Sequence, residues 1–135
     1  MRNVIGIVVV THGRIAEELV EAARTIVGEL PAVAAVSIGW SDDPTAVRTA
    51  IERGLDEVGG GGALVLTDMF GGTPTNLSLP FLGPRVEIVT GVSLPMLIKA
   101  SSLREGTLAD VARAVRDQGK DAIYVASEIL EKKPA

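Results

Sequence analysis

Cysteine is absent from the 135 residues, which excludes disulfides, thiol catalysis and cysteine-held zinc together. There is one histidine, His12, too few for a histidine-rich metal centre. Aromatic residues make up 3% of the chain, so its 47% of hydrophobic residues must build a core from Val, Ile, Leu and Ala. Positive charge is scarce: 13 Lys and Arg against 17 Asp and Glu leave a net charge of −4, with no basic run. Nucleic-acid binding, which depends on neutralising phosphates, is therefore not expected. No apolar run approaches the ~20 residues of a membrane span. The longest covers residues 4–10. Arg2 before it imitates a signal peptide, but Thr11-His12-Gly13-Arg14 follows without a small-residue cleavage pattern, so the run reads as a core strand. The expectation is a cytoplasmic protein that does not itself span a membrane, folded as one domain over residues 1–135.

What is present is a regular alternation. Apolar, β-branched runs alternate with stretches of helical period, the pattern of βαβ units and a mostly parallel sheet. Strands are predicted at residues 4–10, 33–38, 63–67 and 86–90. A helix over 14–27 places Ile15, Leu19, Ala23 and Ile26 on one face and stops at Gly28. A second starts at Asp43-Pro44 and runs to about Val58. Thr73 as cap and Pro74 in the first turn open a short helix that Pro80 ends. Leu94-Pro95 opens another, to about Leu103, and Thr107-Leu108-Ala109-Asp110 is a capping box for a last helix ending near Gly119. Residues 122–127 read as a final strand and 131–135 as a solvated tail. The fold class is α/β: a doubly wound open sheet in order 2-1-3-4, plus an antiparallel C-terminal strand.

His12 sits where the first strand stops, at the carboxyl edge where such sheets place their sites. The third strand ends in the loop Asp68-Met69-Phe70-Gly71-Gly72-Thr73-Pro74-Thr75-Asn76. In order 2-1-3-4 these two strands are neighbours about 4.8 Å apart, so His12 and Asp68 are expected to touch. A carboxylate on one ring nitrogen fixes the tautomer, leaves the other nitrogen's lone pair free to attack and steadies the charge that develops. Gly71 and Gly72 let backbone approach a ligand, and the following helix N-terminus suits a phosphoryl group. Thr73 either caps that helix or turns its hydroxyl to a phosphate oxygen. Transfer of this kind needs positioning and electrostatics, so neither a metal nor a cofactor is expected. Trp40 reads equally as a partner contact or as a lid on the local core, while Met69 and Phe70 favour partner contact. Arg14 reads as a solvated arginine and Ser93 as a helix cap.

Thr11-His12-Gly13, Asp68 with Gly71-Gly72-Thr73-Pro74 and Asn76, and Gly91-Val92-Ser93-Leu94-Pro95-Met96-Leu97 together resemble the mannose-family IIA component of the bacterial phosphoenolpyruvate-dependent sugar phosphotransferase system. The resemblance covers nearly the whole chain, in order and at similar spacing. It implies that His12 accepts phosphoryl from phosphorylated HPr and passes it to a IIB protein, with Asp68 orienting the ring. It implies phosphorylation on the ring nitrogen facing away from Asp68. It also implies a homodimer that exchanges a C-terminal antiparallel strand, whose counterpart is residues 122–127. Thr73 stands where a serine is common, which keeps the hydroxyl, and Pro80 shortens the helix after the glycine loop. The acceptor is expected to be a separate polypeptide.

Three other readings stand beside this one. The same phosphohistidine fits a regulatory switch without sugar transport, or the phosphocarrier subunit of dihydroxyacetone kinase. A flavodoxin-like nucleotide-binding module is weaker, because neither a Walker-type loop nor a dinucleotide fingerprint appears.

Overall fold

The first strand lies at the centre of everything that follows. In a computed structural model that describes residues 4–131, β1 (Gly6–His12) has parallel neighbours on both sides. It is followed by α1 (Ile15–Val27), β2 (Val33–Ile38), α2 (Pro44–Val58), β3 (Ala63–Thr67) and α3 (Thr73–Ser78), with a short 3-10 turn at Leu79–Phe81. Then come β4 (Val86–Val89), α4 (Leu94–Ser102), α5 (Leu108–Asp121) and α6 (Ala126–Glu131). The sheet order is β2-β1-β3-β4, as expected for the doubly wound sheet.

The period-2 alternation of β1 feeds two cores. Ile7 and Val9 face α1, α4 and α5 with Leu64, Leu66, Leu97 and Val115, while Val8 and Val10 face α2 with Val36, Ile51 and Val65. Each of these buried aliphatic side chains stabilises the fold by about 1.5–3 kcal/mol. With helices on both faces, the sheet's carboxyl rim is held rigidly on either side.

The helix starts follow the predicted chemistry. Asp43 accepts from the backbone N–H groups of Thr45 and Ala46 at 3.1 and 3.3 Å, ahead of Pro44. Ser93 accepts from Met96 and Thr107 from Asp110.

Four expectations need correction. First, β1 begins at Gly6 and runs through Thr11 into His12, which pairs with Ile38 in the ladder, so the histidine is the last strand residue rather than a loop residue. Second, the cap of α3 is Gly72, with Thr73 already helical and Pro74 behind it. Third, Gly119 does not stop α5: a Cβ there would lie 2.5 Å from Met96 Sδ, so the glycine serves close packing of α5 on α4, and the helix continues to Asp121. Fourth, the antiparallel C-terminal strand is absent from the described residues: 122–125 are irregular and Ala126–Glu131 is helical. A strand needs a ladder to satisfy its backbone, and within one chain this segment meets none, so β propensity alone leaves it unpaired. Residues 132–135 of the expected tail lie outside the described residues.

Candidate functional site

Two loops from neighbouring strands build the site, each tied back to the sheet. Thr11, buried at the end of β1, accepts a hydrogen bond from the Ala16 N–H at 2.6 Å and so sets the first turn of α1. Gly13, with φ +54°, turns the chain, and its N–H donates to the Ile38 carbonyl at 2.7 Å. At the end of β3, buried Thr75 donates to the Met69 carbonyl at 2.6 Å and lies 2.7 Å from the Thr67 hydroxyl, closing the 68–75 loop from beneath. Asn76 donates to the Gly71 carbonyl at 3.3 Å. A third loop joins them: the Val92 N–H donates to the Thr67 carbonyl at 2.8 Å.

His12 and Asp68, 56 residues apart in sequence, meet as expected. Asp68 Oδ2 lies 2.8 Å from His12 Nδ1 and also accepts from the His12 backbone N–H at 3.0 Å. A carboxylate only accepts, so Nδ1 carries the proton and Nε2 carries the lone pair. The double contact fixes backbone and ring against one oxygen, which leaves the imidazole little rotational freedom. Asp68 Oδ1 is buried without a partner among the described residues. The His12 side chain is 20% exposed, enough for a reagent to arrive from solvent.

Gly72 is closer to the chemistry than a generic glycine loop suggests. A Cβ there would lie 2.7 Å from His12 Cε1 and 3.2 Å from Nε2, so glycine is what allows the ring its place. Its φ of −90° is open to any residue, so the requirement is steric and not conformational. Gly71, at φ +89°, does need glycine's freedom. Thr73 is exposed at the start of α3, and its hydroxyl takes no hydrogen bond among the described residues. The six residues of α3 make a short dipole, so the backbone of the 71–72 turn and the Thr73 hydroxyl are the groups that can face an anion.

The other sequence candidates divide. Trp40 does not cover the core: it stacks on His12, with ring centroids 5.3 Å apart and planes 24° from parallel. Met69 and Phe70 are 53% and 75% exposed. Phe70 lines a groove of about 390 Å³ with Leu79, Leu82, Ile88 and Arg116, to which His12 does not contribute. Arg14 pairs with Glu17 and Glu18 at 3.3 and 3.9 Å, and Ser93 is a cap. Thr75 was not singled out in the sequence, although a threonine eight residues after the threonine that ends β3 is a usable signal. Among the described residues, no three His, Cys, Asp or Glu side chains gather as a metal ion would require, and no helix is long and apolar enough to cross a membrane.

Comparison with known proteins agrees with this fold. A family model described as PTS system fructose IIA component (EIIA-man) matches residues 6–115. The chain is 30% identical over 132 residues to the PTS system fructose-specific EIIA component of Bacillus subtilis, covering 95% of this chain and 90% of that protein. It is 32% identical over 111 residues to the mannose-specific EIIAB component of Escherichia coli, covering 75% of this chain but only 32% of that longer protein. Among solved structures, the mannose/sorbose specific IIA subunit from Enterococcus faecalis superposes with a TM-score of 0.82 at 31% identity, over 90% of this chain and 93% of that one.

Proposed function

This chain belongs to the EIIA-man family of phosphotransferase-system IIA components, and on that premise we propose that His12 carries a phosphoryl group on Nε2 between two protein partners during sugar uptake. Phosphorylated HPr is the donor and a IIB protein the acceptor. The Nε2 lone pair forms the new P–N bond as the donor's bond to phosphorus breaks, and the electron pair of that bond stays with the donor. The second transfer repeats this step, with Nε2 as the leaving atom. Asp68 holds the Nδ1 proton throughout and offsets the positive charge of the phosphorylated ring. Backbone at Gly71 and Gly72 and the Thr73 hydroxyl contact the phosphoryl oxygens, so the scheme uses neither metal nor cofactor. Met69, Phe70 and the outward edge of Trp40 meet the partner proteins, in the cytoplasm.

The same reading gives the C-terminal segment a place. Ile123, Tyr124 and Val125 are exposed, and among the described residues β4 pairs with β3 on one side while its other edge carries only the bridge of Val86 to Gly83. In a homodimer, residues 123–125 of each protomer add as an antiparallel strand to the free edge of the other's β4, beside the groove that Phe70 lines. Chain exchange of this kind satisfies an edge strand at little cost.

The observation that carries the proposal is the 2.8 Å contact between His12 Nδ1 and Asp68 Oδ2, which presents Nε2 alone as nucleophile. The test is mass spectrometry of the intact protein after incubation with phosphoenolpyruvate, enzyme I and HPr. The expected result is one acid-labile phosphoryl adduct on the unaltered protein and none on His12→Ala. Equal labelling of the two rejects His12 as carrier.

A further inference from the structure

The only tryptophan in the chain stacks on the only histidine, and the turn that carries it is built to hold it there. Trp40 is 85% exposed, so burial in the core does not fix its position. The turn does. Asp42 Oδ2 accepts from the Gly39 N–H at 2.7 Å, and the Asp42 N–H donates back to the Gly39 carbonyl at 3.3 Å. A Cβ at Gly39 would lie 2.8 Å from Asp42 Oδ1, so a larger residue there would displace the carboxylate that closes the turn. The base of this turn is keyed to the histidine strand, because Ile38 pairs with His12 and its carbonyl accepts from the Gly13 N–H. The backbones that carry imidazole and indole are thus placed by the same pair of strands.

We propose that Trp40 is a positioning residue for phosphoryl transfer, closing one face of the His12 ring and favouring its phosphorylated, positively charged state. The inference rests on the phosphocarrier reading and adds to it. Asp68 holds the Nδ1 edge, Gly72 abuts the Cε1 and Nε2 edge, and Trp40 covers a face. With three sides in contact, the ring cannot turn about its axis without losing one of them, and Nε2 stays aimed at the incoming phosphorus. The charge dependence follows from the indole quadrupole. A cation within about 6 Å of an aromatic centroid is attracted to its face, more strongly than a neutral ring is. Phosphorylation of Nε2 with Nδ1 still protonated turns a neutral ring into a cationic one, so the stack strengthens when the group is loaded.

A contact made only with an incoming partner cannot move the equilibrium between free phosphorylated proteins, whereas a contact that favours the phosphorylated ring must. The test therefore measures the equilibrium constant for phosphoryl exchange with HPr, by ³¹P NMR, in the unaltered protein, Trp40→Phe and Trp40→Ala. Ring-proton shifts of His12 in the unphosphorylated proteins report the stack directly. The expected result is a two- to five-fold fall in the equilibrium constant for Trp40→Ala, about the size of an exposed cation–aromatic contact. Recovery of most of it is expected in Trp40→Phe. The His12 ring protons are expected to lie upfield in the unaltered protein and to lose that shift in Trp40→Ala. An unchanged equilibrium constant with only a raised KM for phosphorylated HPr makes Trp40 a docking residue and overturns the inference. So does a His12 ring shift that ignores the loss of the indole. Failure of the unaltered protein to accept phosphoryl at all rejects the carrier reading itself, and is distinct from the case in which it is labelled but Trp40→Ala matches it.

Discussion

At the carboxyl rim of β1 and β3 the chain ties its polar groups to one another: His12 to Asp68, Thr75 to Met69, Asn76 to Gly71, and the Val92 N–H to Thr67. After α5 it does the opposite, carrying Ile123, Tyr124 and Val125 into solvent with no ladder. The first region is finished within one protomer. The second leaves its apolar side chains without a ladder among the described residues. The proposed chemistry and the proposed assembly therefore involve different segments, and each can be tested without the other.

The largest expected effect on the rim comes from Gly72→Ala. The backbone accepts alanine there, but the methyl collides with the imidazole. Displacing a reacting group by a fraction of an ångström to an ångström lowers rates by about a hundred-fold. Rapid-quench measurement of transfer from phosphorylated HPr is expected to show such a loss, with thermal stability close to that of the unaltered protein. A rate within a few-fold would mean that the loop, not the ring, yields.

Asp68→Asn comes next. It removes a charge-assisted hydrogen bond of about 1.5–3 kcal/mol and allows the ring its other tautomer. A ten-fold or greater slowing, about what that energy implies, is the expected outcome in the same assay. An unchanged rate would reduce Asp68 to a structural loop residue. Thr75→Ala should act on the fold more than on the rate. It strips the Met69 carbonyl and the Thr67 hydroxyl of a buried partner, and a loss of about 1–3 kcal/mol in denaturant unfolding is expected.

The smallest effect on the chemistry belongs to the other region. Replacing Ile123 and Val125 together by serine should dissociate the proposed homodimer in sedimentation while leaving the transfer rate of His12 within about two-fold, the spread of a surface change. A dimer that survives places the interface elsewhere, and a collapsed transfer rate would join the two regions that the structure separates.

Much of the rim was legible because alternating runs imply a doubly wound sheet, and order 2-1-3-4 within it makes Thr11-His12 and Thr67-Asp68 neighbours. What was not legible depends on contacts that spacing does not encode. The glycine at 72 reads like any turn glycine until the imidazole is seen against it. Trp40 reads as lid or partner contact until the pairing of His12 with Ile38 brings its turn over the ring. Gly119 looks like a helix stop because its packing partner, Met96, lies on another helix. The segment at 122–127 has the composition of a strand, but composition does not say that the described chain offers it no ladder.

The orientation of the His12 ring is tested most directly by ¹⁵N NMR of the phosphorylated protein labelled at its single histidine. The proposed mechanism predicts phosphorus on Nε2, with Nδ1 still protonated and bonded to Asp68. Phosphorus on Nδ1 would contradict the account, since that atom is the one the carboxylate already holds.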